Sequence, residues 1–547
     1  MREETKDNSY LKGAAILTAA LVFAKIVSAI YKIPIARMLG AEGTGYFQVT
    51  YNIFVLILAL STAGIPVALS RIIASANARG NTNLIKRYYS VAMPAFTLIG
   101  LIATVLMIVF ADNLAHLMNS SHVSFGIRII APTLFFVCII SVFRGYAQGL
   151  GNMKPTALSQ IIEVVTKTLI GISAVLILIE LGHGPYIVSG GAIVGVTFGA
   201  VLCIPVLMWQ KKKIDRNITY SYGSDTPVLP GKAEAFKQIM KVSIPITLTA
   251  ASISIMTVVD TSVVLGRLQY ALMLTEEEAT KQFGLFAQTL MVFNLPVSFI
   301  VPVAISIVPA IASSIAKGRR DEAGAIMQSA MKLTNLLAMP AGVGIMVLAS
   351  PILNILFSAS AQSAEDYQSM VNILTILGAT SIFVCFHHVN TAILQANGYE
   401  RIALITFPVG AVLKITISYF LVANPNIGIV ATSIGSLACF ATISVLNLLV
   451  ITFKIKERPK FISVFLKPLI CALIMAVVVH FTYLSALNLG SDVLGTGSIA
   501  SALYLALSIL VGIGVYVALI VLTRTITKHD LSNVPKGVKI AKLLRVR

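Results

Sequence analysis

Residues 498–523 read SIASALYLALSILVGIGVYVALIVLT, a stretch without one charged side chain. A helix of about 20 apolar residues, rising 1.5 Å per residue, crosses the hydrocarbon core of a bilayer, and this stretch is long enough. Earlier in the chain, runs of the same kind occupy 13–38, 47–70, 89–111, 125–147, 157–181, 188–209, 242–266, 284–313, 326–357, 369–396, 402–423, 428–453 and 461–487. Of the 547 residues, 57% are hydrophobic and 12% charged, and the mean hydropathy is +0.89. Soluble globular chains carry about 25% charged residues. A water-facing surface cannot be built from half that supply, so a soluble enzyme, a fibrous repeat and a disordered chain are excluded. The expected fold is an all-α polytopic membrane protein with fourteen transmembrane helices.

The net charge of +19 is explained by where the bases lie. Loops after even-numbered runs hold Arg71, Arg79, Lys86 and Arg87, then Lys154, then Lys211, Lys212, Lys213, Arg216, Lys232 and Lys237, then Lys317, Arg319 and Arg320, then Lys454, Lys456, Arg458 and Lys460. The loops 112–124, 182–187, 358–368, 424–427 and 488–497, after odd-numbered runs, contain no Lys or Arg. In 267–283, Arg267 and Lys281 are offset by Glu276, Glu277 and Glu278. The positive-inside rule then puts both termini in the cytoplasm of a multi-pass plasma-membrane protein. The basic tail, 524–547, is expected on anionic lipid headgroups and not on nucleic acid. The first run is too long for a signal-peptide core and no A-x-A site follows it, so it should remain in the mature protein. Cys138, Cys203, Cys385, Cys439 and Cys471 all fall inside apolar runs, with no C-x-x-C spacing. Disulfides and zinc are not expected of them.

An internal repeat organises the chain. Ala78-Arg79-Gly80-Asn81 ends the second run and Ala316-Lys317-Gly318-Arg319 ends the eighth, an offset of 238 residues from 78 to 316. Gln148-Gly149-Leu150-Gly151-Asn152 ends the fourth and Gln395-Ala396-Asn397-Gly398-Tyr399 the tenth. Runs 1–6 (1–209) therefore read as a parallel copy of runs 7–12 (242–453), joined by a cytoplasmic linker at 210–241 and followed by a helix pair within 454–523. Two six-helix bundles around a cavity form a transporter plan.

Ionisable groups at membrane depth are costly and mark a functional path by default. Lys25 sits near the middle of the first run, and Lys32 lies two turns further along the same face. Lys25 is expected to line a cavity; Lys32 lines it or snorkels to the interface. Glu163 and Lys167 have the i,i+4 spacing of a mutually neutralising pair. Arg144 is a cavity group or an interfacial anchor. Asp260, deep in the seventh run without a local base, must find a partner across the bundle, bind a cation or hold a proton. His387, with His388 and Asn390, is expected to make inter-helix hydrogen bonds or to serve a proton or substrate. Lys414 is a further intramembrane base, while Arg128, Arg267 and Lys332, near span ends, are expected at headgroups. Bases outnumber acids in this set, which favours an anionic substrate such as a desolvated phosphate. No Walker A sequence, H-E-x-x-H or nucleophile–base constellation is present, so enzymatic activity is not expected.

Leu39-Gly40-Ala41-Glu42-Gly43-Thr44-Gly45-Tyr46-Phe47, Ala63-Gly64-Ile65-Pro66-Val67-Ala68 and Gln148-Gly149-Leu150-Gly151-Asn152-Met153-Lys154-Pro155 carry a resemblance, as do Leu295-Pro296 and Val308-Pro309-Ala310-Ile311-Ala312. The chain resembles the multidrug/oligosaccharidyl-lipid/polysaccharide (MOP) flippase superfamily along essentially its whole length. Within it, the chain looks like the polysaccharide-biosynthesis branch, close to stage V sporulation protein B and the MurJ-like lipid II flippases. This resemblance implies an alternating-access flippase for an undecaprenyl-pyrophosphate-linked sugar of cell-wall or peptidoglycan synthesis. Lys25 and Tyr31 stand where Gram-negative lipid II flippases carry Arg, and apolar residues around Phe293-Asn294-Leu295 replace a charged motif. Expected substrate contacts are Lys25, Lys32, Arg144, Lys167 and Lys414, with Asp260, Glu163 and His387 in coupling or gating. No metal or cofactor is expected; Na+, H+ or the membrane potential is expected to drive the cycle of a monomer. A cation-coupled multidrug exporter of the MATE type is the alternative within the superfamily, and Lys25 and Lys32 argue against it. A membrane scaffold or an integral enzyme of envelope synthesis is the third reading.

Overall fold

The computed structural model describes residues 2–217, 229–455, 462–494, 497–523 and 525. Among the described residues the secondary structure is helical, with no strand. The chain divides into two compact units, Met1–Gly284 and Leu285–Arg547. The first contains α1 (Arg2–Thr62), α2 (Ile65–Ala78), α3 (Thr82–Val109), α4 (Ala111–Leu117), α5 (Val123–Ile130), α6 (Pro132–Gly149), α7 (Lys154–Glu180), α8 (Pro185–Asn217) and α9 (Lys232–Leu272). From α10 (Glu276–Ala316), which runs across the boundary, the chain continues into α11 (Arg320–Val347), α12 (Ala349–Phe357), α13 (Ala364–Ala396), α14 (Glu400–Leu421), α15 (Ala431–Lys454), α16 (Lys467–Leu494) and α17 (Ser498–Leu522).

Thirteen helical segments among the described residues are long and apolar enough to cross a membrane. Near the N-terminus one described segment, Tyr31–Ala78, takes in the end of the first expected run and all of the second. The reason is local. The chain turns through Gly40 (φ 65°, ψ −172°) with no loop, so α1 carries both runs across a kink. Leu101, Val105 and Val109 on α3, like Leu473 and Val477 on α16, are exposed. An apolar face of that extent suits lipid and would aggregate in water. The protein is a multi-pass membrane protein.

The repeat seen in the sequence has a structural cause. After α2, the Gly80 amide donates to the Asn77 carbonyl (3.0 Å) and the Asn81 amide to Ala76 (3.0 Å). After α10, Gly318 and Arg319 make the same two bonds to Ile315 and Ser314, both 2.9 Å. This Schellman arrangement places its penultimate residue in the left-handed region, where glycine has no Cβ to clash; Gly80 has φ 68° and Gly318 φ 73°. The ends of α6 and α13, at Gly151 and Gly398, are built alike. The matching tetrapeptides are therefore helix stops at corresponding places.

Within the first unit, Ile65, Leu69, Ile73, Phe96, Val142 and Ile239 join α2, α3, α6 and α9 in one apolar core. Glycines bring α8 against α7: a methyl at Gly195 would stand 2.6 Å from the Lys167 carbonyl oxygen, and one at Gly199 2.8 Å from that of Glu163. Small residues that let backbones approach this closely are the usual means of helix association in membranes. In the second unit, α16 and α17 close on α11 through Met339, Val343, Cys471, Met475 and Tyr516. All five cysteines are buried.

Candidate functional site

The polar interior of the first unit is built on α6 and α7. The short Gly151–Met153 turn sets these helices side by side, so Arg144 reaches one face of α7. Its Nη2 donates to Glu163 Oε2 at 2.8 Å and its Nε to Ser159 Oγ at 2.9 Å. Ser159, fully buried, donates its hydroxyl hydrogen to the Thr156 carbonyl at 2.9 Å. The guanidinium is thus held by two acceptors at a side-chain exposure of 17%. Charge-assisted bonds of this kind are about twice as strong as neutral ones.

Glu163 therefore serves Arg144, and the expected i,i+4 pair with Lys167 does not form. Arginine's planar fork satisfies the carboxylate and the serine together, which a lysine on the same helix cannot do. Lys167 instead places Nζ 5.7 Å from the centre of the Tyr31 ring. Among the described residues no carboxylate lies within ion-pair distance of Lys167. Tyr31 is 4% exposed, and its hydroxyl has no hydrogen-bond partner among the described residues. An ammonium and a phenol are thus left short of acceptors at membrane depth.

The remaining expected residues are distributed as follows. Lys32 is exposed, while its neighbour Tyr31 is buried. The Lys25 side chain lies outside the described residues. Asp260 on α9 is 5% exposed. Beside it, Thr261 Oγ1 accepts from Asn52 Nδ2 at 3.0 Å, and Asn52 Oδ1 accepts from Gln48 Nε2 at 2.7 Å, tying α1 to α9. Neither Gln48 nor Asn52 was among the expected residues; their i,i+4 spacing inside an apolar run was the available signal. His387 and the half-buried Lys414 belong to the second unit. Two of the expected headgroup anchors behave differently: Arg128 pairs with Asp112 at 2.7 Å and both are exposed, whereas Lys332 is only 4% exposed in the middle of α11. The interior face of α11 overrides the reading of Lys332 as an anchor.

Both ends of the first unit are tied. At one, Glu276 Oε1 accepts from the His122 amide (3.1 Å) and from Ser120 Oγ (3.3 Å) and meets His122 Nδ1 at 3.1 Å. Gln269 Nε2 donates to the Asn119 carbonyl there at 2.6 Å. At the other, Tyr146 donates its hydroxyl hydrogen to Asp215 Oδ1 at 2.7 Å, and Lys211 Nζ lies 4.5 Å from the Tyr89 ring centre. Tyr88 also donates to Gln238 on α9. With Arg144 and Lys167 both in this interior, the arrangement can bind an anion.

Residues 10–315 match the polysaccharide biosynthesis protein family. Stage V sporulation protein B of Bacillus subtilis (strain 168) is 26% identical over 542 residues, 96% of this chain and 98% of that protein. Lipid II flippase MurJ of the same organism is 26% identical over 447 residues, 78% of this chain and 80% of that protein. A solved structure, lipid II flippase MurJ in an inward closed conformation, has the same fold, with a TM-score of 0.68 at 18% identity over 93% of this chain and 98% of that one. By the extent of these matches the chain belongs to the polysaccharide biosynthesis protein family, within the MOP flippase superfamily.

Proposed function

We propose that the chain is an alternating-access flippase carrying an undecaprenyl-pyrophosphate-linked saccharide, lipid II or a related envelope precursor, across the bacterial plasma membrane. The observation that carries this reading is Lys167, which makes no ion pair among the described residues and lies over the ring of Tyr31, whose buried hydroxyl has no hydrogen-bond partner among them either. A pyrophosphate supplies what both groups lack: negative charge for the ammonium and an acceptor for the phenol. Arg144 on α6 is restrained by Glu163, which lies one helical turn from Lys167 on α7, and can add a second donor set. Lys25, Lys32 and Lys414 are further substrate contacts in this reading, and Asp260, Glu163 and His387 serve coupling and gating. Lipid II flippase MurJ, a relative in sequence over most of the chain, supports this choice of substrate class, while solved structures of the same fold also include multidrug MATE transporters.

In this reading 1–209 and 242–453 are the two bundles, the linker 210–241 and both termini are cytoplasmic, and 454–523 adds a helix pair. Reporter fusions test the orientation: a reporter after the last helix should be active inside, and one in the 182–187 loop outside. The main test uses proteoliposomes with labelled lipid II. Wild-type protein should move it between leaflets, and Lys167→Ala should slow movement by about 10- to 150-fold, the worth of a hydrogen bond to a charged group. Equal rates in the two proteins would remove Lys167 from the site. Efflux of organic cations without lipid movement would establish the multidrug alternative.

A further inference from the structure

Each sequence repeat carries a crevice at its base-rich end, the end expected in the cytoplasm. In the first unit it opens between the start of α3, the end of α6 and the last turns of α8. Its cavity, about 300 Å³, is lined by Lys86, Tyr89, Tyr146, Lys211 and Asp215 among others. In the second unit it opens between the start of α11, the end of α13 and the end of α15. That cavity, about 130 Å³, is lined by Arg320, Met327, Asn397, Tyr399, Lys454 and Ile455 among others. The two correspond residue by residue on one wall. Thr82, Ile85 and Tyr89 line the first, and Arg320, Ala323 and Met327, each 238 positions on as Gly318 is from Gly80, line the second.

The first crevice holds an anion of its own. Asp215 accepts from the Tyr146 hydroxyl at 2.7 Å and from Lys211 Nζ, four residues back on α8. The second has two bases, and no carboxylate among the described residues that line it. Arg320 and Lys454 make no ion pair among the described residues. Glu322, close by on α11, is drawn to Arg319 at 3.6 Å. The sequence after Lys454 adds Lys456, Arg458 and Lys460 against Glu457, so the local charge stays positive. From this comparison we infer that the second crevice is a binding site for a phosphate group, borne by an anionic lipid headgroup or free in solution. The Arg320 fork can meet two phosphate oxygens while Lys454 supplies a point charge. Tyr399 can add a hydroxyl donor, and Met327 and Ile455 give the cavity an apolar wall. At roughly 30 Å³ per water, the volume is that of about four waters, which suits a phosphate group and is too small to enclose a nucleotide. A phosphate there would tie the ends of α11, α13 and α15, as Asp215 ties α8 to α6. The inference stands apart from the flippase reading.

The experiment uses the full-length protein in detergent, with two probes. Native mass spectrometry follows binding of phosphatidylglycerol, with phosphatidylcholine as the lipid without net charge. Thermal unfolding follows inorganic phosphate against chloride at equal ionic strength. The double variant Arg320→Gln/Lys454→Gln should weaken the tightest phosphate-bearing ligand by about 5- to 30-fold, the worth of two exposed charge pairs. Arg320→Lys should fall between it and wild type. Both bases are exposed, so these variants should keep the wild-type elution profile. Asp215→Asn, which removes the first crevice's own anion, should add one bound phosphate group. A loss confined to phosphatidylglycerol assigns the lipid headgroup as the source, a loss confined to inorganic phosphate assigns the free anion, and a loss of both supports a site open to either. The inference is overturned if wild type binds neither probe, or if the double variant binds both as wild type does. An unchanged count in Asp215→Asn would overturn the equivalence of the two crevices from which the site is drawn.

Discussion

Substitution of Gly284 by alanine presses on the tightest helix crossing in the first unit. A methyl at Gly284 would stand 1.7 Å from the Ala41 carbonyl oxygen, and one at Gly45 2.1 Å from the Thr280 carbonyl. Both contacts join the start of the second half of α1 to the first turns of α10. A carbon and an oxygen need roughly 3.2–3.4 Å, so backbone must move by more than an ångström, and no flexible side chain can give way instead. Overpacking of this kind costs about 1–3 kcal/mol. Placed on one arrangement of a two-state cycle, that cost raises the ratio of parted to closed crossings by about 5- to 150-fold. Thr280, fully buried against Gly45, supplies the probe. In a Thr280→Cys background, a membrane-impermeant maleimide should label Gly284→Ala faster than the parent by up to that factor, and substrate movement should fall. Unchanged labelling together with unchanged transport would show that the crossing does not part during the cycle.

Three further outcomes follow from the same site. Glu163→Gln leaves Arg144 with a neutral acceptor; because the pair is only half buried, the loss should be about 1–3 kcal/mol, read as a lower unfolding temperature in detergent that Ser159→Ala partly reproduces. Lys167→Arg keeps the charge but not the point geometry, so it should retain partial transport where Lys167→Ala retains little, and identical rates for the two variants would count against phosphate contact. Asp260→Asn should shift the balance of cysteine accessibility between the two sides of the membrane, since it removes the charge of a side chain only 5% exposed; wild-type accessibility and transport would reduce it to a structural hydrogen-bonding group.

Much of this protein was legible before any coordinates. Uncharged runs such as 498–523 fix both the solvent and the secondary structure, because in lipid every backbone group must be satisfied within its own helix. The stretches around Gly80 and Gly318 and around Gly151 and Gly398 were visible as repeats, since a left-handed helix stop favours glycine, which has no Cβ to clash. Arg144, Glu163 and Lys167 could be nominated individually, because a charge in an apolar run is conspicuous. Their partnerships could not be read. Sequence spacing favours the pair on one helix, Glu163 with Lys167, whereas the crossing of α6 and α7 delivers Arg144 to Glu163 and leaves Lys167 over Tyr31. Lys332 fell near a predicted span end but faces inward, a choice made by the neighbours of α11 and not by its own residues. Gln48, Asn52 and Thr261 form a chain that joins different helices. Periodicity along one helix carries no record of what packs against it, so those connections exist only once the helices are assembled.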